Sequence, residues 1–308
     1  MELCEKYRPK DLENVVGQDK AVSILKGILN KPTKKMPHTL IFTGNSGCGK
    51  TTLARIFAKR LKVSSMDLVE INTADFGGID MVREIRTNMN KFPMQGTYRA
   101  WIIDEAHSLS REAQAAFLKI LEEPPAHCFF LLATTDPVKL IEPLLQRCTK
   151  VKVDPVSDVD LKTLITKIAK KEKIDLSKKI TRLLISTANG SPRNALKYLD
   201  AVSSQRTEEE REYCLISSDT QTQAFGIFKA MMDFTPWTKL REVVKNVKEE
   251  PEVVRRIILA CVNTTVLTGE GNRLARAFDI GKYFMDNWYD CGKAGLSLAC
   301  MEVCNLKR

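Results

Sequence analysis

The sequence predicts an α/β core, a parallel sheet with helices on both faces, followed by a small helical lid and an all-α C-terminal region. Three observations predict it. Strand-like apolar runs alternate with helical patterns through the first half of the chain. Those runs are nearly unbroken in apolar residues, as strands covered on both faces are. After Asp154-Pro155 the strand signals stop and only helical periodicity remains.

The strand-like runs lie at 39–43, 68–72, 99–103, 129–134 and 149–153. Between them, residues 111–122 place Ala113, Ala116, Phe117, Ile120 and Leu121 at i, i+3, i+4, i+7 and i+8, one face of a helix. Three short helices are predicted at 158–171, 177–188 and 192–203. The second stops at Asn189-Gly190, and Ser191-Pro192 opens the third with proline in its first turn. Acidic Glu208 to Glu212 reads as a linker or an exposed helix start. From Asp219 onward the pattern is helical, with an apolar face at Val253, Ile257, Ile258, Cys261 and Val262. The expected division is 1–154 for the core, 155–206 for the lid and 207–308 for the C-terminal domain.

Composition narrows the class. The 308 residues suffice for two or three domains. No run of 18 apolar residues occurs, and Met1-Glu-Leu-Cys-Glu-Lys is charged at once, so a soluble intracellular protein without a membrane partner is expected. The nine cysteines are scattered and none forms C-x-x-C, which fits reduced thiols. Cys300 and Cys304 lie one turn apart, on an expected buried helix face. Residues 207–308 hold 14 Lys/Arg and 15 Asp/Glu, so residues 1–206 carry 34 against 23, a net +11. A basic front half points to a polyanionic partner such as nucleic acid.

The chemistry-bearing run is Gly44-Asn45-Ser46-Gly47-Cys48-Gly49-Lys50-Thr51, between a strand-like run and a helix-like one. It fits G-x-x-x-x-G-K-[ST], a loop whose backbone N–H groups cradle phosphates. The whole run, with Thr52, is assigned to nucleotide binding. Gly44, Gly47 and Gly49 let the backbone approach the phosphates. Lys50 brings a cation to the β- and γ-phosphates, and the Thr51 hydroxyl ligates Mg²⁺. Asp104, ending the apolar run Trp101-Ile-Ile103, holds that Mg²⁺ through water. Glu105 is the base that positions an attacking water.

Further motifs stand in order around this loop. Lys6-Tyr-Arg-Pro-Lys-Asp-Leu-Glu-Asn-Val-Val-Gly-Gln18 precedes it. Asp104-Glu-Ala-His-Ser-Leu-Ser-Arg-Glu-Ala-Gln-Ala-Ala-Phe-Leu-Lys-Ile-Leu-Glu-Glu-Pro-Pro125, Leu132-Ala-Thr-Thr-Asp-Pro137, Pro143-Leu-Leu-Gln-Arg-Cys148 and Gly190-Ser-Pro-Arg-Asn-Ala-Leu196 follow. The series closely resembles the AAA+ ATPase subunits of sliding-clamp loaders, both replication factor C small subunits and the bacterial gamma/tau subunit, over about residues 6–200. The resemblance implies ATP and Mg²⁺ as cofactors. It implies a pentameric assembly with other loader subunits, a sliding clamp and primer–template DNA as partners, and a C-terminal oligomerising collar. It also implies roles. Tyr7, Arg8, Pro9 and Val16 match the segment that packs near the adenine. Thr135 matches sensor 1, Arg193 sensor 2, and Arg147 the arginine finger that reaches a neighbouring subunit's ATP. Gln114 matches the residue that couples DNA contact to Glu105. Arg83 and Arg86, three apart on one helix face, and Arg111 are nominated for DNA phosphates.

Some residues depart from that family. Gln146 stands where the finger motif has Ser, Thr135 resembles the bacterial form of sensor 1, and the bacterial zinc-binding cysteines are missing, so no zinc is expected. This mixture would suit a phage or viral loader. The expected location is the cytoplasm or nucleoid, the nucleus for a eukaryotic protein, or the host cell for a viral one. The alternative is another AAA+ DNA-remodelling ATPase, of the branch-migration or origin-recognition type. Asp104-Glu-Ala-His107 also resembles DEAH-box helicases, but their paired Q-x-x-G-R-x-G-R-like motif is absent. His107 is therefore read as a structural or coupling residue.

Overall fold

The computed structural model describes residues 2–32, 35–76, 78–205, 207–217, 220–247, 250–286, 288 and 291–306. They form two compact units, Met1–Asp200 and Ala201–Arg308.

The first unit holds five strands: β1 (Thr39–Thr43), β2 (Leu68–Asn72), β3 (Arg99–Asp104), β4 (Cys128–Thr134) and β5 (Thr149–Lys152). All pair in parallel, in the order β2-β3-β4-β1-β5. The five strand runs read from sequence are all present, with ends shifted by at most a residue. Alternate residues of one strand serve opposite faces, because the pleat has a period of two. On one face Leu40, Phe42, Phe129 and Leu131 pack with Leu53 and Phe57 of the helix Lys50–Arg60. On the other, Ile41, Trp101, Phe130 and Leu132 pack with Phe117 and Ile120 of the helix Arg111–Glu122. Each of these fully buried side chains contributes roughly 1.5–3 kcal/mol. β2 departs from the unbroken apolar reading. It is an edge strand whose Val69 and Glu70 are exposed, and Glu70 accepts two hydrogen bonds from Arg55 at 2.6 and 2.8 Å. A charge on an edge strand discourages pairing with another chain.

The strand order matters for function. β4 lies between β1 and β3, with Thr43 opposite Thr134 and Ile103 opposite Leu132. The loop after β1, the acidic end of β3 and the Thr134–Thr135 end of β4 therefore meet at the C-terminal edge of the sheet. In open α/β sheets this edge is where ligands bind.

Three helices follow the sheet: Asp158–Glu172, Lys178–Ala188 and Pro192–Ser203, the last running across the boundary at Asp200. Ser157 and Ser177 cap the first two by accepting backbone N–H bonds from Asp160 and Ile180. Asn189 ends the second in the left-handed region.

The second unit contains the helices Glu208–Ser217, Thr220–Met232, Trp237–Lys245, Pro251–Thr268, Gly271–Phe284 and Gly292–Asn305. The acidic run at 208 is thus a helix start, and Asp219, where the helical pattern is expected to begin, lies outside the described residues. Ile227, Leu240, Ile258, Phe284, Leu296 and Cys300 share its core. No helix among the described residues is long and apolar enough to cross a membrane.

A buried clasp holds this unit. The Glu252 carboxylate accepts from Arg255 Nη2 and Nε at 2.7 and 2.8 Å and from the Trp288 N–H at 3.0 Å. Arg255 Nη1 in turn donates to the carbonyls of Phe284 and Met285. The Arg255 guanidinium, with Trp288 and Arg256 adding to it, holds the Glu252 carboxyl down at about 2. Removing one member of such a pair strands a buried charge. Glu252→Ala is therefore expected to destabilise the unit by about 3–5 kcal/mol, measured by denaturant unfolding. A carboxyl with a depressed folded-state pKa stabilises fully above its unfolded value. The wild-type contribution should fade as pH falls from about 4.5 toward about 2. An unfolding midpoint equally acid-sensitive in Glu252→Ala would contradict this.

Candidate nucleotide site

The loop from Gly44 to Gly49 turns back over the N-terminus of the helix Lys50–Arg60. Two glycines are forced. Gly47 has φ +74°, and a Cβ there would overlap the Ser191 hydroxyl; a Cβ at Gly44 would run into the Val153 carbonyl oxygen. The Arg193 N–H faces the Gly47 carbonyl at 3.4 Å, so the start of the helix Pro192–Ser203 rests directly on the loop.

Lys50 is buried, and its Nζ donates to the carbonyls of Gly44 and Asn45, each at 3.0 Å. Burial pulls its ammonium pKa down, against the attraction of Glu105 and Asp104. Its direct partners are neutral, so a desolvated cation faces the loop; a polyphosphate would supply the missing charge. Thr51 Oγ1 donates to Asp104 Oδ2 at 2.8 Å. A hydroxyl and a carboxylate at this distance are the oxygen donors that Mg²⁺ takes beside a triphosphate.

Glu105 adopts φ +50°, ψ +43°, left-handed and unusual for a residue with a Cβ. Such a conformation costs of order 1–3 kcal/mol and persists only where its surroundings enforce it. The enforcing group is Thr73, whose buried hydroxyl sits 2.6 Å from the Glu105 carbonyl and 3.0 Å from the Asp104 carbonyl. The Asp104 Oδ1 accepts the Glu105 N–H at 3.0 Å. On the side-chain end, Thr135 Oγ1 donates to Glu105 Oε2 at 3.3 Å, and His107 Nδ1 lies 3.4 Å from the same oxygen.

The sequence-assigned residues fall into three groups. Lys50, Thr51, Asp104, Glu105 and Thr135 meet at the sheet edge, beside the loop residues. Tyr7, Arg8, Pro9 and Val16 line one cleft with Gly47, Cys48, Gly49, Thr52 and Arg193. Asn14, Val15, Leu164 and Leu196, which were not assigned from sequence, line it as well. Tyr7 and Lys6 both donate to Glu172 at the end of the helix Asp158–Glu172, tying the N-terminal segment to that helix. That bond to Glu172 raises the Tyr7 phenol.

Arg147, Arg83, Arg86 and Arg111 stand apart from the cleft and are all exposed. Arg147 caps the short helix Glu142–Gln146 and faces Glu122 at 3.5 Å. Arg83 pairs with Asp80 at 2.8 Å. Arg83 and Arg86 lie on the helix Ile79–Met89, which packs against the helix carrying Arg111. Gln114 is buried, but its amide does not reach Glu105. Its Nε2 donates to the carbonyls of Leu109 and Lys139, and its Oε1 accepts the Ile141 N–H at 2.8 Å. It ties the helix after β3 to the segment leading into Arg147.

The chain is 34% identical to the tau subunit of DNA polymerase III from Bacillus subtilis over 219 residues, 64% of this chain and 38% of that one. It is 30% identical to the Escherichia coli tau subunit over 255 residues, 75% and 39%. Over about two-thirds of its length, this chain is homologous to DNA polymerase III tau/gamma subunits. The homologous gamma subunit of Buchnera aphidicola is 33% identical over 220 residues, 64% of this chain and 60% of that one. The chain thus spans less than two-thirds of the length of these relatives. The family described as DNA polymerase III, delta subunit, matches residues 61–157. Among solved structures, the Thermotoga maritima RuvB Holliday junction branch migration motor superposes with a TM-score of 0.58 at 18% identity, covering 76% of this chain and 84% of that one. At that identity the likeness concerns the fold, an AAA+-like core with a helical extension.

Proposed function

We propose that the chain is the ATP-hydrolysing subunit of a sliding-clamp loader, acting in DNA replication in the cytoplasm or nucleoid. The observation that carries the ATPase reading is the pairing of Thr51 with Asp104 beside a buried Lys50. The loader reading rests on homology to polymerase III tau/gamma subunits. In this reading residues 1–154 form the core, 155–206 the lid and 207–308 a collar joining loader subunits.

Each residue then has a task. Lys50 exchanges its loop carbonyls for phosphate oxygens. Thr51 and Asp104 would hold Mg²⁺, which would supply positive charge to offset that of the phosphates. Glu105 accepts a proton from the attacking water through its carboxylate. Thr135 orients that carboxylate through its hydroxyl. Arg193, whose guanidinium has no ion pair among the described residues, brings a cation to the same loop from the lid. Arg147 serves the ATP of a neighbouring subunit. Tyr7, Arg8 and Val16 enclose the base, and Gln114 passes DNA contact to the site through the Lys139–Ile141 segment.

DNA contact falls to Arg83, Arg86 and Arg111. Phosphate contacts are indifferent to sequence and release counterions. Arg83→Ala with Arg86→Ala should weaken binding to primed DNA and reduce the slope of log K against log salt by about 2. Basal ATP binding should persist. An unchanged slope would remove both residues from the interface.

Steady-state ATP hydrolysis by the assembled complex, with and without primed DNA and the cognate clamp, tests the whole reading. Stimulation by both together supports a loader. Stimulation by branched DNA alone, with indifference to the clamp, would move the assignment to a branch-migration type of motor.

A further inference from the structure

We propose that His107 is a positioning residue for Glu105, holding the carboxylate in its working orientation through an Nδ1–H. The proposal rests on the ATPase reading above. His107 lies in the single turn Ala106–Ser108 immediately after β3, with its side chain largely buried. Its Nδ1 is 3.1 Å from Thr134 Oγ1 and 3.4 Å from Glu105 Oε2. The Thr134 hydroxyl is buried and already accepts the Asp136 N–H at 3.1 Å.

The neighbours decide which ring nitrogen carries the proton. A neutral imidazole donates from one nitrogen and accepts at the other. A bare lone pair on Nδ1 would face a carboxylate oxygen at 3.4 Å, which is repulsive. A proton there is attracted to that oxygen and also uses the second lone pair of Thr134 Oγ1. The Nε2–H tautomer would accept the Thr134 hydroxyl proton but leave a lone pair facing the Glu105 oxygen, whereas the Nδ1–H tautomer places a donor between the two oxygens, and the carboxylate charge favours it.

The consequence is mechanical. Glu105 Oε2 accepts from the Thr135 hydroxyl at 3.3 Å, and His107 Nδ1 lies within 3.4 Å of the same oxygen, close enough for a proton on it to steady the carboxylate electrostatically. Both groups are anchored to the end of β4, one directly and one through Thr134. Among the described residues nothing else pairs with Oε1, which leaves that oxygen for the attacking water. Without His107 the carboxylate would pivot about its single remaining partner.

Three variants and one spectrum test this. Asparagine places its amide nitrogen near the position of Nδ1, whereas glutamine places it near Nε2. His107→Ala and His107→Gln should lower kcat about tenfold with nucleotide affinity unchanged, while His107→Asn stays within about threefold of wild type. Equal thermal unfolding midpoints separate positioning from folding. The chain has three histidines, so ¹⁵N-histidine NMR is readable, and the signals missing from His107→Asn identify the residue. They should show an Nδ1-protonated ring. Wild-type kcat in His107→Ala, equal loss in the asparagine and glutamine variants, or an Nε2-protonated ring would each overturn the proposal. If His107→Ala fails to fold, the other two variants and the spectrum still decide. Absence of hydrolysis in wild type would instead sink the ATPase reading, and the spectrum would still test the His107–Glu105 contact.

Discussion

Glu105→Gln should lower ATP turnover by about 10²–10⁴-fold while nucleotide binding stays near its wild-type level. The substitution keeps the length and shape of the side chain. Its amide oxygen can still accept from the Thr135 hydroxyl, which lies 3.3 Å from Oε2. The backbone at this position is left-handed and fixed by Thr73 and Ser108 through the Glu105 carbonyl. None of those bonds involves the side chain that changes, so the fold should persist. What disappears is the basic carboxylate. Single-turnover phosphate release with a parallel fluorescent-nucleotide titration separates the two effects. Retained turnover would show that another group accepts the proton. Loss of binding would show that Glu105 supports the nucleotide cradle itself.

The sequence displays the parts of this site that local chemistry dictates. A loop that must wrap phosphates with backbone N–H groups needs Gly44, Gly47, Gly49 and Lys50 at fixed spacing, so the run is readable without a fold. Strands buried on both faces read as apolar runs, which placed β1, β3 and β4 closely. The parts that stayed hidden are those set by contacts distant in sequence. Thr73 sits 32 residues before Glu105, and nothing in its neighbourhood announces that its hydroxyl enforces a left-handed turn there. The His107–Thr134 contact likewise depends on β4 lying beside β3, a neighbour relation that periodicity does not encode. The overlap that keeps Gly47 a glycine comes from Ser191, in a segment on the far side of the strand region. Gln114 is the instructive case. The resemblance tied it to Glu105, whereas its amide bonds run to Leu109, Lys139 and Ile141. Any coupling it provides must pass through the backbone of the segment before Arg147.

That segment bears on the second large effect. Arg147→Ala is expected to reduce turnover of the assembled complex by about 10³–10⁵-fold with each subunit still binding nucleotide. Arg147 sits at the end of the helix Glu142–Gln146, exposed, with Glu122 at 3.5 Å as its partner. An exposed ion pair of this kind is worth about 0–1 kcal/mol, so the guanidinium leaves it readily for a phosphate. Among the described residues it makes no hydrogen bond or ion pair with the phosphate loop of its own chain. A cation that completes another subunit's site has a signature that a cation acting within its own subunit lacks. Lys50→Ala removes nucleotide binding from its own chain but leaves Arg147 intact; Arg147→Ala does the reverse. Mixing the two should restore part of the turnover, at interfaces where an intact loop meets an intact finger. The measurement is hydrolysis as a function of mixing ratio, with a maximum between the two inactive ends. A curve flat at the level of the single variants would place the action of Arg147 within its own subunit. Full turnover by Arg147→Ala alone would end its candidacy as a finger.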